Sequence, residues 1–225
     1  RNIAHRLIEE FMLAANEAVA SHVAALEWPF VYRIHEPPDI KRVADFEQIA
    51  AHFGYSLGVG AIPVKRFHMV DRKRDGRKVN RSMTMVDEQK LTITSRNYQR
   101  LVAKIEGKPE ERILSYLMLR SLRQARYSEN NSGHFALAAP TYTHFTSPIR
   151  RYPDLMVHRI LGAWLDGRKT APYTDDDLHP MAEDTSFTER RAAEAERELV
   201  EWKKLKFMAG RVGEDFSALI IQTAK

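Results

Sequence analysis

The stretch from Tyr142 to Arg159, YTHFTSPIRRYPDLMVHR, concentrates residue types that handle phosphate. Two adjacent guanidinium groups, Arg150 and Arg151, follow Ser147-Pro148, and Thr146 and Ser147 place hydroxyls beside them. A Ser-Pro step is a helix-start signal, because proline lacks the amide that would have no partner in a first turn. The spacing predicts a helix from Ser147 to Trp164, interrupted by Pro153, with both arginines in its first turn. Free amides and the positive end of a helix favour an anion there, and guanidinium forks match phosphate oxygens two at a time. The same residues also fit a plainer arrangement, a capped surface helix whose arginines pair with Asp154 and other acids.

Other polar groups carry weaker signals. Asp175-Asp176-Asp177 could suggest a cation, but the run sits in a loop ahead of a helix and reads as capping and solvation. His134 and His144 have no carboxylate at ligand spacing and read as hydrogen-bonding or packing residues. The basic stretch Lys65 to Arg81, centred on Gly76, is either a hairpin with a basic tip or a basic loop.

Several elements must hold these groups. Ile3, Leu7, Phe11, Ala14, Ala18 and Leu26 recur at helical spacing, which predicts a helix over 3–26 with that stripe buried. His5, Glu9 and Asn16 form a polar ridge opposite much of it. Phe30, Tyr32 and Ile34 alternate before Pro37-Pro38, a strand pattern. Asp39 caps a short helix that Gly54 ends. Helices are predicted over 95–106 and 109–125, the second opening on Pro109 and presenting Ile113, Tyr116, Leu117 and Leu122 to a core. A long charged helix is expected over about 178–208, and a terminal strand over Gly213 to Ile221. The fold class is α+β, predominantly helical.

Composition narrows the setting. A chain of 225 residues with 44% hydrophobic and 29% charged residues belongs with ordinary globular proteins rather than disordered ones. With no cysteine, disulfide scaffolds, thiolate zinc sites and cysteine nucleophiles are excluded. No apolar run reaches the length of a membrane-spanning helix, and no signal peptide opens the chain, so the cytoplasm is the expected location. The net charge of +5 favours a polyanionic partner. The first residues already follow a helical period and the last read as an unpaired strand, so a segment of a longer protein is expected.

HFTSPIRRYPDLMVHR resembles the signature of the ribonuclease II / ribonuclease R family of exoribonucleases, and is most similar to its ribonuclease R branch. HRLIEEFMLAAN (5–16), LRSLRQARYSENNSGHFALA (119–138) and ERRAAEAERELVEWKKLKFM (189–208) resemble further family blocks, in the family's order. Separated blocks in one order are far more specific than one short motif. The resemblance implies residues 1–210 as the C-terminal part of an RNB-type catalytic domain and 211–225 as the beginning of an OB-fold, carried by VGEDFSALI.

It also implies hydrolysis of single-stranded RNA from the 3′ end to nucleoside 5′-monophosphates, with magnesium held by aspartates outside this segment. Arg150 matches the family arginine at the scissile phosphate, with a role in stabilising transition-state charge. Glu9 matches an acid near the 3′-terminal ribose, where a carboxylate can accept from the 2′-hydroxyl that distinguishes RNA from DNA. Thr146, Ser147 and Arg151 are expected to bind substrate, and Glu196 matches approximately a family acid near the RNA channel. Two departures stand out. The segment 65–81 looks like an insertion, and Ala136 stands where the pattern usually has glycine. A monomer is expected, and the isolated segment is expected to be inactive. A non-catalytic RNA-binding protein on the same scaffold and a helical protein-interaction module remain as other classes of function.

Overall fold

The computed structural model describes residues 2–60, 64–72, 78–86 and 93–217, with backbone alone for 64–72 and 78–86. The chain divides into two compact units, one made of residues 1–36 and 124–225 and the other of 37–123.

The first unit is built on a short antiparallel pair, β1 (Tyr32–Ile34) and β4 (Arg126–Ser128), with Arg33 opposite Tyr127. Helix α1 (Ile3–Ala25) precedes it, and α5 (Tyr152–Leu165) and α6 (Asp175–Ala209) follow. Side chains alternate across an extended strand, and the core divides accordingly. Phe30, Tyr32 and Ile34 join Ala20 and Val23 of α1 and Val157 and Ile160 of α5. Val31 joins Tyr127, Met156 of α5, and Leu178 and Ala182 of α6. Residues 142–145 run beside the pair, where the Arg33 amide donates to the Tyr142 carbonyl at 2.9 Å and Thr143 Oγ1 donates to the Val31 carbonyl at 2.6 Å.

The second unit contains α2 (Ile40–His52), the hairpin β2 (Val64–Arg72) and β3 (Lys78–Val86), α3 (Ser95–Ile105) and α4 (Glu111–Ser121). Its buried residues include Val43, Phe46 and Ala50 of α2, Tyr98, Leu101 and Ile105 of α3, and Ile113, Leu114 and Met118 of α4. The Asp39 side chain accepts from the amides of Lys41 and Arg42, as the cap reading requires. Gly54 takes a φ of +78°, the left-handed geometry that suits glycine after a helix. The hairpin pairs Val64 with Val86 through Arg72 with Lys78, so the basic stretch forms strands; its tip lies outside the described residues.

Five expectations need correction. The α1 stripe is not buried: Ile3 is 86% exposed and Phe11 63%, whereas Asn16, Ala20 and Val23 are buried. Periodicity shows that one face is apolar, but not whether anything covers it. Pro148 does not open a helix. Residues 148–150 form a turn, and α5 begins at Tyr152 with Pro153 in its first turn, so Pro153 starts the helix rather than interrupting it. Asp175, Asp176 and Asp177 are helical, forming the first turn of α6. There Asp177 completes a reciprocal cap with Thr174, which keeps the capping role and removes the loop. Helix α4 starts two residues after Pro109. Its buried face is Ile113, Leu114, Met118 and Ser121, while Tyr116 is 40% exposed. Gly213 to Ser217 do not enter a strand. Residues 218–225, including the rest of the proposed terminal strand, lie outside the described residues.

Candidate nucleic-acid site

The turn before α5 is closed from both sides. The Ser147 carbonyl accepts the amides of Arg150 at 3.3 Å and Arg151 at 3.1 Å. In the first turn of α5, Asp154 Oδ1 accepts from the Ser147 amide at 2.8 Å and from Arg151 Nη2 at 2.7 Å. Asp154 is fully buried. The two arginines therefore differ. Arg151 is ion-paired to Asp154, while Arg150 is exposed and has no carboxylate partner among the described residues.

Arg150 and Arg151 line a cleft of about 600 Å³ with Tyr152, Pro153, Tyr127 of β4 and one face of α6. The α6 contribution is Thr185, Thr188, Glu189, Ala192, Ala193 and Glu196, spaced as one side of a helix. The wall is braced from within the unit. Arg33 donates to both Glu189 carboxylate oxygens, at 2.6 and 3.0 Å, and its guanidinium lies 4.6 Å from the centroid of the Tyr127 ring. The Tyr127 hydroxyl meets His144 Nδ1 at 2.8 Å. Burial pushes the Tyr127 phenol up to about 12, so it stays protonated at neutral pH.

Arg150, Arg151 and Glu196 thus share one cleft. Thr146 and Ser147, in the segment leading into the turn, and Glu9, on the amino-terminal half of α1, are not among its lining residues. The polar ridge of α1 is split, since Asn16 is buried and bonds to the Tyr142 hydroxyl and the Phe145 amide, each at 2.9 Å. His134 and His144 pack in an aromatic cluster with Tyr142. Burial, then neighbouring His35, pulls His134 down to about 4, and burial, then Arg151, pulls His144 down to about 3. Both are neutral rings at pH 7. Ala136 avoids positive φ, and its amide donates to His35 Nδ1, so its methyl group imposes no left-handed strain. Arg33, Tyr127 and Glu189 escaped sequence reading, whereas the pairing of an arginine with Asp154 was one of the two arrangements the sequence allowed and holds for Arg151. Arg33 and Glu189 are 156 residues apart, and no local pattern joins them.

The described side chains offer magnesium no fitting set of ligands. Among the described residues no group of three or more His, Asp or Glu side chains converges to hold a metal. At the cleft the carboxylates are Glu189, already held by Arg33, and Glu196.

The sequence model of the RNB domain family matches residues 1–167. The chain belongs to the RNB domain family. It is 42% identical over 228 residues to ribonuclease R 1 of Lactococcus lactis subsp. lactis, covering 100% of this chain and 24% of that protein. The solved structure of Mycoplasma genitalium RNase R in complex with ribose methylated single-stranded RNA superposes with a TM-score of 0.71 at 26% identity, over 95% of this chain and 30% of that one. Yeast Ssd1, described as a pseudonuclease, matches with a TM-score of 0.58 at 25% identity, over 80% of this chain and 19% of its own. This RNB-family chain spans about a quarter of the length of the curated relatives it matches.

Proposed function

We propose that this chain is part of a 3′-to-5′ exoribonuclease that hydrolyses single-stranded RNA to nucleoside 5′-monophosphates, with Arg150 at the scissile phosphate. The observation that carries this reading is the Arg150 guanidinium, which has no carboxylate partner among the described residues, at an open cleft lined also by Tyr127 and Glu196. Its twin, Arg151, is held by a buried carboxylate. An arginine without a protein partner is available to a phosphate, and its charge counts most as negative charge builds in the transition state. Arg151 and Glu196 bound the path of the strand, Thr146 and Ser147 support it from behind, and Glu9 reads the ribose.

The reaction requires magnesium, held by aspartates outside this chain. When bound, that metal supplies an activated water and charge neutralisation. Residues 1–210 belong to the catalytic domain in this reading and 211–225 to the start of an OB-fold. Among the described residues no helix is long and apolar enough to cross a membrane. The reading places the protein in the cytoplasm as a monomer.

The test is Arg150→Ala in the full-length protein. The expected result is a loss of turnover with far less change in RNA affinity, because the contact strengthens in the transition state. Equal losses in rate and binding would reduce Arg150 to a phosphate anchor. The segment alone should release no nucleotides from RNA with magnesium present.

A second reading, an RNA-binding protein without catalysis, is favoured by the likeness to the pseudonuclease. RNA binding that falls steeply with salt, without nucleotide release by the full-length protein, would establish it.

A further inference from the structure

Two neighbouring arginines reach the same cleft, and one buried carboxylate distinguishes them. Asp154 is fully buried, and a single oxygen, Oδ1, receives the Ser147 amide and Arg151 Nη2 together. Those donors stand at the two ends of the turn that carries Arg150. The Ser147 carbonyl closes the same turn by accepting both arginine amides. Two further polar atoms of the pair, Asp154 Oδ2 and Arg151 Nε, are buried without hydrogen-bond partners among the described residues, so the pair leans on Asp154 Oδ1. Asp154 also lies in the first turn of α5, where the positive helix end favours a carboxylate.

We infer that Asp154 is a positioning residue for the RNA-cleaving site. It fixes the Ser147–Arg151 turn and occupies Arg151, so that Arg150 is the guanidinium left for the phosphate. This inference rests on the nuclease reading above. Loss of the Asp154 charge would free Arg151 as a second mobile cation at the cleft. An extra cation raises ground-state attraction for RNA, while Arg150 loses its fixed placement. The consequence is a split between kcat and KM rather than a uniform loss.

Asp154→Asn keeps an acceptor for the Ser147 amide and removes the charge. In the full-length protein, with a 5′-labelled single-stranded RNA and magnesium, it is expected to lower kcat by about 10- to 100-fold, with KM unchanged or reduced by up to about threefold. In an Arg150→Ala background the same substitution should cost less than about twofold more, because the group it acts through is gone. A merely structural role would instead lower the melting temperature and multiply fully with Arg150→Ala. Should Asp154→Asn fail to fold, Arg151→Gln breaks the same pair from its more exposed side; it is expected to lower kcat, by less than about twofold once Arg150 is Ala, while KM rises because a cation leaves the cleft. An active full-length protein in which these variants keep wild-type kcat, or lose it multiplicatively with Arg150→Ala, overturns the inference alone. A full-length protein inert on RNA, or one in which Arg150→Ala is fully active, overturns the nuclease reading and this inference with it.

Discussion

The cleft beside α6 and the amino-terminal half of α1 each carry a residue that the family resemblance singles out, Arg150 and Glu9, and they are built in opposite ways. At the cleft, polar pairs both distant and local in sequence hold the wall: Arg33 with Glu189, Tyr127 with His144, and Asp154 with Arg151 and Ser147. On the amino-terminal half of α1, which carries Glu9, the apolar stripe stands open, with Ile3 86%, Leu7 55% and Phe11 63% exposed. A side chain braced by buried hydrogen bonds is placed by this chain itself. An apolar helix stripe left exposed takes its final surroundings from whatever meets it. The turn that carries Arg150 is thus a local property of this segment in a way that the open stripe of α1 is not.

Substitutions can break this contrast. The widest gap is expected between Arg150→Ala, which cuts turnover of the full-length protein by at least about 100-fold, and Glu9→Ala, which erodes discrimination between RNA and DNA ends by about tenfold. Single-turnover assays on paired RNA and DNA substrates measure both, and unchanged discrimination removes the ribose role from Glu9. Next, Arg33→Ala should cost about 1–3 kcal/mol in urea unfolding, since it removes both a bidentate pair and a cation over Tyr127. A smaller gap separates the two ends of α1. Val23→Ala should cost about 2 kcal/mol in this chain, against less than about 0.5 for Leu7→Ala. If Leu7→Ala costs as much as Val23→Ala in the full-length protein, another segment covers that face there.

Acid sharpens the same comparison by a modest amount. His134 and His144 titrate well below the ordinary histidine value of 6.5 in the fold, so the unfolded chain takes up protons first as pH falls. Their contribution is complete above pH 6.5 and drains away toward pH 4 and below. His179 runs the other way. Its hydrogen bond to Glu129 raises it, so its share is present below pH 6.5 and fades as pH rises through the folded value. Melting temperatures across this range should fall on the acid side, and a flat profile would contradict the buried-histidine account.

Much of the secondary structure was legible because its signals are local. Asp39 and Gly54 bracket α2, and the alternation around Tyr32 marks β1. The Ser-Pro step misled because two prolines, Pro148 and Pro153, both satisfy the rule for a first turn, and only the backbone bonds show which one α5 uses. The α1 stripe misled for a different reason: an apolar period records what a face prefers, not what lies against it. At the site, the arginine motif was readable as a string. Its sorting into one paired and one unpaired guanidinium was not, because that depends on a buried carboxylate and a closed turn. The Arg33–Glu189 brace, which joins the two ends of the first unit, leaves no trace in any window of the sequence.

The α6 side of the cleft is partly made of Ala192 and Ala193, which set only methyl groups beside charged and hydroxyl neighbours. On that side the room in the cleft depends on two of the smallest side chains available, which carry no charge themselves. Enlarging either one would crowd the α6 face of the cleft and would leave the Asp154–Arg151 pair untouched.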